Sequence, residues 1–188
     1  KMRKDRQRIG IIPIGDIPDI APKVIAAHIS GYLDLQAILL EPMQTPSYAL
    51  DRQRRQYDAG SILQHLESGF FDSVDKVVGI MDVDLFVPVF THVFGEARQG
   101  GRVALISIFR LKENAMDTSS DSAIALERAA KVAMHELCHL YDLTHCESHQ
   151  CLMYFSVSLP DLDRIPLGFC RYCSQYILEA TKFNPKFP

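Results

Sequence analysis

His135-Glu136-Leu137-Cys138-His139-Leu140-Tyr141-Asp142-Leu143-Thr144-His145-Cys146 is the stretch from which the rest of this chain can be read. His135 and His139 are four residues apart. On a helix they stand one above the other on a single face, and both imidazoles reach one ion at roughly 2.0–2.1 Å. Glu136 points about 100° around the helix. It therefore flanks the ion rather than ligating it, which suits a base acting on metal-bound water. His145 lies six residues beyond His139. An unbroken helix would carry it about 240° round, so it joins the same ion only if the helix stops and the chain turns back. Asp142 stands where that turn must occur, and aspartate is among the few residues enriched in the left-handed region. The rival reading makes Asp142 itself an acidic third ligand.

The chain has five cysteines. Cys146 and Cys151, with the CxxC pair Cys170 and Cys173, form a second cluster. Four thiolates at about 2.3 Å make a tetrahedral structural zinc site with no open position. Two disulfides and a spare thiol are the other arrangement, but no secretory signal points to an oxidising compartment. His149, inside the Cys146–Cys151 loop, reads as a solvated histidine because four cysteines already fill the shell. Cys138 reads as a small buried residue of the helix.

Met153 follows the third histidine by eight residues. Alone it would be core filler. In metzincins, a methionine on a tight turn forms an apolar floor beneath three histidines spaced HExxHxxGxxH, and Met153 is a credible Met-turn of that kind. The joint pattern His135, Glu136, His139, His145, Cys146, Cys151, Met153, Cys170 and Cys173 resembles the archaemetzincin family. Asp142 departs from that family's glycine. Phe94-Gly95-Glu96-Ala97 and Ser107-Ile108-Phe109-Arg110-Leu111 resemble the family more weakly. The resemblance implies two Zn2+ ions in an intracellular metallopeptidase-like domain. One is catalytic, on His135, His139 and His145 with Glu136 as base; the other is structural, on Cys146, Cys151, Cys170 and Cys173. It implies an α/β (α+β mixed), metzincin-like fold: a twisted mixed sheet with helices, an active-site helix, a Met-turn and a small C-terminal lobe around the four cysteines. It names no physiological substrate.

Net charge is -3 and pI about 6.2, which gives no basic footprint for nucleic acid. The basic segment Lys1–Arg8 reads as a solvated terminus. The apolar run Ile9–Ile14 is too short for a signal core and is broken by Pro13. No stretch reaches the roughly 18–20 apolar residues of a membrane span. The expectation is a soluble, cytoplasmic protein, monomeric by default, whose partner is a peptide or protein substrate. Every cysteine lies at 138 or later, so none precedes the site as a plug for the metal.

The length of 188 residues fits one domain. We expect it to span 1–188, with an upper lobe at about 8–145 and a lower lobe at about 146–188. Ile9–Gly15 reads as a buried strand. Asp19 and Pro22 open a helix with Val24, Ala27, His28 and Leu33 near one face, His28 being a satisfied half-buried histidine. Leu35–Leu40 is a second strand and Glu41–Leu50 a loop. Asp51–Glu67 reads as a helix, from the spacing of Ala59, Ile62, Leu63 and Leu66, with Gly69 as its stop. Lys76–Val83 is a third strand, and the intervening helices suggest parallel pairing. Val93–Arg98 and Arg102–Arg110 form a hairpin around Gln99-Gly100-Gly101. The first is an edge strand; the metzincin resemblance implies that it holds an extended peptide by strand addition, with Gly95 permitting close approach, and the other reading is an edge strand that binds nothing. Asp117–Ser120 caps a helix from about Asp121 to Tyr141, with Ile124, Ala125, Val132 and Leu140 buried. The chain after Met153 reads as loop until the CxxC, and Ser174–Lys182 as a final helix. The functional expectation is a zinc-dependent peptidase, aminopeptidase-like or of narrow specificity. The competing expectation is a catalytically silent, zinc-stabilised peptide-binding protein.

Overall fold

The computed structural model describes residues 6–69, 71–112 and 118–182, without the side chains of 118–122. In chain order its elements are β1 (Arg8–Ile14), α1 (Ile20–Leu33), β2 (Gln36–Leu39), β3 (Leu50–Asp51), β4 (Gln56–Asp58) and α2 (Ala59–Glu67). Then come β5 (Lys76–Met81), β6 (Leu85–Val87), β7 (Phe90–Val93), β8 (Gly95–Ala97), β9 (Val103–Ser107), α3 (Thr118–His139), α4 (Leu159–Arg164) and α5 (Arg171–Lys182).

The main sheet has the order β2-β1-β5-β9-β8. Its first three pairings are parallel, those of β1 with β2 and β5 as the strand–helix alternation predicts, and β8 adds to β9 antiparallel as an edge. The chain moves one way from β1 to β2 and the other way to β5. Right-handed crossovers then put the connecting helices on opposite faces. Side chains follow the period of two. Ile9, Ile11, Val78, Ile80, Ala104 and Ile106 pack with α1 and α3 in one buried cluster. Ile12, Ile14, Val77, Met81, Val103 and Leu105 pack with Ala59, Ile62, Leu63 and Leu66 of α2 in the other. β9 is buried at every position. At roughly 25 cal/mol per Å2 of apolar area removed from water, this two-sided burial is the main force that fixes α3 across the sheet.

Several expectations are corrected. Residues 51–58 are not helical: β3 and β4 form a hairpin, and only Ala59–Glu67 continues as α2. The Asp51 carboxylate accepts from the Gln53 and Arg54 N–H groups at 2.9 and 3.0 Å, a local alternative to helical bonding. Arg55 has φ 55, and Asp58 caps the true helix start through the Gly60 N–H. Within α1 the buried stripe is Ala21, Pro22, Ile25, Ile29 and Leu33, not Val24, Ala27 and His28. Its polar residues, Lys23, His28 and Ser30, are few, so periodicity offered several candidate stripes. His28 is half-buried and its Nδ1 lies 2.8 Å from the Val24 carbonyl. Val93–Arg98 divides between β7 and β8, and β7 belongs to a second sheet of order β3-β4-β6-β7. Ile124 is 42% exposed. The segment after Met153 contains α4, whose start is capped by Ser158 with proline in the first turn. α5 begins at Arg171, ahead of the expected Ser174. Asp117 and Lys1–Asp5 lie outside the described residues.

Candidate metal centre and cleft

α3 ends at His139, and the chain then reverses. Asp142 has φ 64. Its N–H bonds the His139 carbonyl at 3.0 Å and the Leu143 N–H bonds the Cys138 carbonyl at 3.2 Å. This pair of bonds is a Schellman cap, and aspartate supplies the left-handed residue that glycine usually supplies. Lys76 Nζ donates to the Leu140 carbonyl at 2.7 Å and to Gly101 O at 3.0 Å, placing a cation at the negative end of α3. Burial lowers the Lys76 pKa, and Asp142 is the first of the charges that oppose the shift. The Asp142 carboxylate packs against Gly100, where an added Cβ would stand 2.7 Å from Oδ1. It is thus turned away from the histidines and is no ligand.

The reversal brings His145 back over the helix. Its ring centre lies 5.2 Å from that of His135 and 4.8 Å from that of His139. The ligand nitrogens of His135, His139 and His145 lie within 4.8 Å of one another. His135 Nδ1 is 2.8 Å from the Leu152 carbonyl, and His139 Nδ1 is 2.7 Å from the Leu143 carbonyl. A carbonyl only accepts, so each Nδ1 carries the hydrogen and each Nε2 offers its lone pair. Those two Nε2 atoms face each other at 3.1 Å. Two imidazoles on a tetrahedral zinc at about 2.05 Å stand about 3.3 Å apart, so the donor set fits that ion. Burial drives the His135 pKa down to about 3, and it lowers those of His139 and His145 as well. The three rings are neutral, as ligation requires.

Glu136 sits beneath β8. A Cβ on Gly95 would lie 2.7 Å from Glu136 Cγ and 2.9 Å from Val132 Cγ1. The close approach expected at Gly95 is therefore to the helix behind the strand. Burial, with Glu96 adding to it, pushes the Glu136 carboxyl up to about 8. A bound cation reverses that balance toward the carboxylate. The cleft over this face is about 480 Å3, with Phe90–Ala97 along one wall and Phe155–Val157, Leu162 and Ile165 on the other. The Phe155 ring lies tilted against His145, with ring centres 4.9 Å apart.

The turn after the third histidine carries Met153, which is 0% exposed. The Tyr154 N–H closes that turn on the Cys151 carbonyl at 2.9 Å, and the Cys146 N–H bonds Met153 O at 2.8 Å. The neighbouring Leu152 carbonyl is the one that holds His135. Cys146, Cys151, Cys170 and Cys173 converge with their sulfurs within 4.8 Å of one another. Cys146 and Cys170 Sγ are 3.8 Å apart, too far for a disulfide at about 2.05 Å. Four thiolates at about 2.3 Å around a tetrahedral ion give about 3.8 Å. The Cys173 backbone N–H brings the Cys170 thiol down to about 7. His149 stands aside, packed 4.5 Å from the Tyr154 ring. Cys138 is fully buried, and burial raises its thiol.

Sequence reasoning missed the Leu143 and Leu152 carbonyls, the Lys76 cap, and β7 as part of the cleft wall. A carbonyl's role leaves no mark in residue identity. Lys131 was missed too, although its spacing of four before His135 marked it as sharing the ligand face.

The sequence profile of peptidase family M54 matches residues 28–179. The archaemetzincin of Methanopyrus kandleri is 36% identical over 155 residues, which covers 82% of this chain and 85% of that protein. The crystal structure of the Methanopyrus kandleri protein superposes with a TM-score of 0.84 at 30% identity, covering 96% of this chain and 98% of that one. The archaemetzincin of Archaeoglobus fulgidus, crystallised in complex with malonate, superposes with a TM-score of 0.78 at 30% identity, covering 90% and 99%.

Proposed function

The chain belongs to peptidase family M54, with the archaemetzincins as relatives, and is a zinc metallopeptidase; we propose that His135, His139 and His145 hold its catalytic zinc and that Glu136 is its general base. The observation that carries this reading is the pair of Nε2 lone pairs facing each other at 3.1 Å, with both Nδ1 atoms committed to carbonyls. Such an arrangement is repulsive without a cation and is the usual outer support of a zinc-bound histidine. We assign a second, structural zinc to Cys146, Cys151, Cys170 and Cys173, whose sulfur spacing supports a closed tetrahedral site.

The peptide lies extended along the wall formed by β7 and β8. β8 is the free edge of the main sheet, and its backbone groups bind a peptide strand irrespective of sequence. When bound, zinc acidifies a water molecule and polarises the scissile carbonyl. Glu136 takes the water proton on its carboxylate and returns it to the leaving nitrogen. The fixed Nδ1–H bonds keep His135 and His139 aimed throughout, and Gly95 leaves room for the Glu136 side chain. Met153 and Leu152, buried on one turn, tie the ligand helix to the four-cysteine cluster, so that both metal sites share the His145–Cys146 junction.

The test is metal analysis of the purified chain together with a mixed peptide library, read for the native protein and for Glu136→Ala. The expected result is about two zinc ions per chain, cleavage by the native protein alone, and equal metal in both. Cleavage by the Glu136→Ala chain would remove Glu136 from the role of base. The narrower form of the proposal, release of residues from free amino termini, predicts that N-acetylation of the peptides abolishes cleavage. No helix among the described residues is long and apolar enough to cross a membrane.

A further inference from the structure

Lys131 stands one helical turn before His135, on the stripe that carries His135 and His139. Val132 begins the adjacent stripe, with Glu136, and that stripe lies beneath Gly95 of β8. The two stripes face different walls of the cleft. The 131/135 stripe meets the returning chain, through Lys131 Nζ to Leu162 O at 3.2 Å and His135 Nδ1 to Leu152 O at 2.8 Å. Lys131 therefore belongs to the wall opposite the strand along which a peptide would lie. It is the only lysine or arginine among the described residues that line the cleft.

An ammonium has three hydrogens to donate. One goes to Leu162 O, and Glu127 Oε1 stands 2.9 Å away as an ion-pair partner. The ion pair is lopsided: the Lys131 side chain is 3% exposed and that of Glu127 is 55% exposed. Glu127 offers its charge from the solvent side, where water and salt screen it. Val132, Leu162 and Ile165 are among the apolar residues that line the same cleft. A second carboxylate, Asp163, also feels the charge: its pKa is lowered first by Arg128 and further by Lys131, but both its oxygens are engaged by the Arg128 guanidinium. An anion arriving from the cleft can therefore take up the ammonium's remaining hydrogen-bonding capacity with little screening. The carboxyl groups of Glu96 and Glu136 belong to the opposite side, so an anion that settles at Lys131 is kept away from them.

We infer that Lys131 is a specificity-determining residue, whose ammonium forms the end of a side subsite that takes a carboxylate of the bound peptide. That carboxylate is either an aspartate or glutamate side chain or the peptide's own terminus. The inference rests on the peptidase reading above.

The experiment measures binding by calorimetry, using the zinc-loaded full chain with Glu136→Gln to prevent turnover. Peptides are matched in pairs, glutamate against glutamine at each position in turn, and free carboxyl terminus against carboxamide. The expected result is one pair in which the carboxylate binds about tenfold more tightly or better. Lys131→Met should abolish the difference, Lys131→Arg should retain it, and Glu127→Gln, by removing the competing carboxylate, should enlarge it. An internal position showing the effect assigns the subsite to a side chain, and the free terminus assigns it to the terminal carboxylate; either supports the inference. Equal affinities within every pair, a preference that survives Lys131→Met, or one that shrinks in Glu127→Gln would overturn it. Cleavage by the native chain is scored separately. Turnover without a carboxylate preference leaves the peptidase reading standing and removes Lys131. A Lys131-dependent preference without turnover does the reverse.

Discussion

Gly95→Ala probes how tightly the strand and the proposed base are fitted. The added methyl would lie 2.7 Å from Glu136 Cγ, 2.9 Å from Val132 Cγ1 and 3.0 Å from Glu136 Oε1. Carbon atoms rest at about 3.5–4.0 Å, so either Glu136 retreats by about 1 Å or β8 lifts from α3. The strand resists lifting. Gly95 pairs with Ile106 across the β8–β9 ladder, and the Ser107 N–H bonds Phe94 O at 2.8 Å. Overpacking of this kind costs about 1–3 kcal/mol, a Tm fall of roughly 2–4 °C for each kcal/mol in a chain of this size. Displacing a catalytic group by about 1 Å lowers turnover about 10²-fold. The three atoms nearest the methyl belong to Glu136 and Val132, none to a histidine, so zinc should stay bound. The assay is kcat/KM on a cleaved library peptide beside metal content and thermal melting. Gly31→Ala is the control, since a methyl there meets nothing within 4 Å. Native-like turnover and melting in Gly95→Ala would refute the close-approach argument. Loss of zinc would show that the strand supports the ligands rather than the base.

Cys170→Ser should lower Tm and also reduce zinc at the histidine site, because the Cys146–Met153 backbone bond couples the clusters; unchanged metal at the histidines would show the two centres to be independent. Lys76→Met removes the cation from the Leu140 carbonyl, just past the end of α3, at a cost of about 1–3 kcal/mol; competition with a chelator should show weaker zinc binding, and unaltered affinity would mean the Schellman cap alone fixes His145. In the metal-free chain, pH dependence has two opposed parts. Unfolded histidine binds its proton at 6.5 while His135 resists to about 3, so this group's stabilisation is lost as pH falls below 6.5. Glu136 releases its proton at 4.5 unfolded and at about 8 folded, so its stabilisation is lost as pH rises through that window. Chelator-treated native protein should therefore lose Tm between pH 6.5 and 8 and the Glu136→Gln chain should not; identical alkaline slopes would refute the burial argument.

What could be read without the fold were the features governed by short periods. The four-residue spacing of His135 and His139, the demand for a left-handed residue at Asp142, and the short apolar run Ile9–Ile14 are each legible within a few residues. The cysteine cluster was legible because zinc admits few donor sets and few spacings. Other features depended on segments far apart in the chain. Residues 51–58 carried no apolar period of their own, so Asp51's local bonds and the pairing of β4 with β6 made them a hairpin. The largely apolar α1 chose its face only when the sheet came to meet it. Most consequentially, the tautomers of His135 and His139 are dictated by the carbonyls of Leu152 and Leu143. The first of these lies 17 residues away, and any side chain would present the same oxygen. Donor identity is therefore written in the residues, while donor orientation comes from the packing that brings main-chain groups beside them.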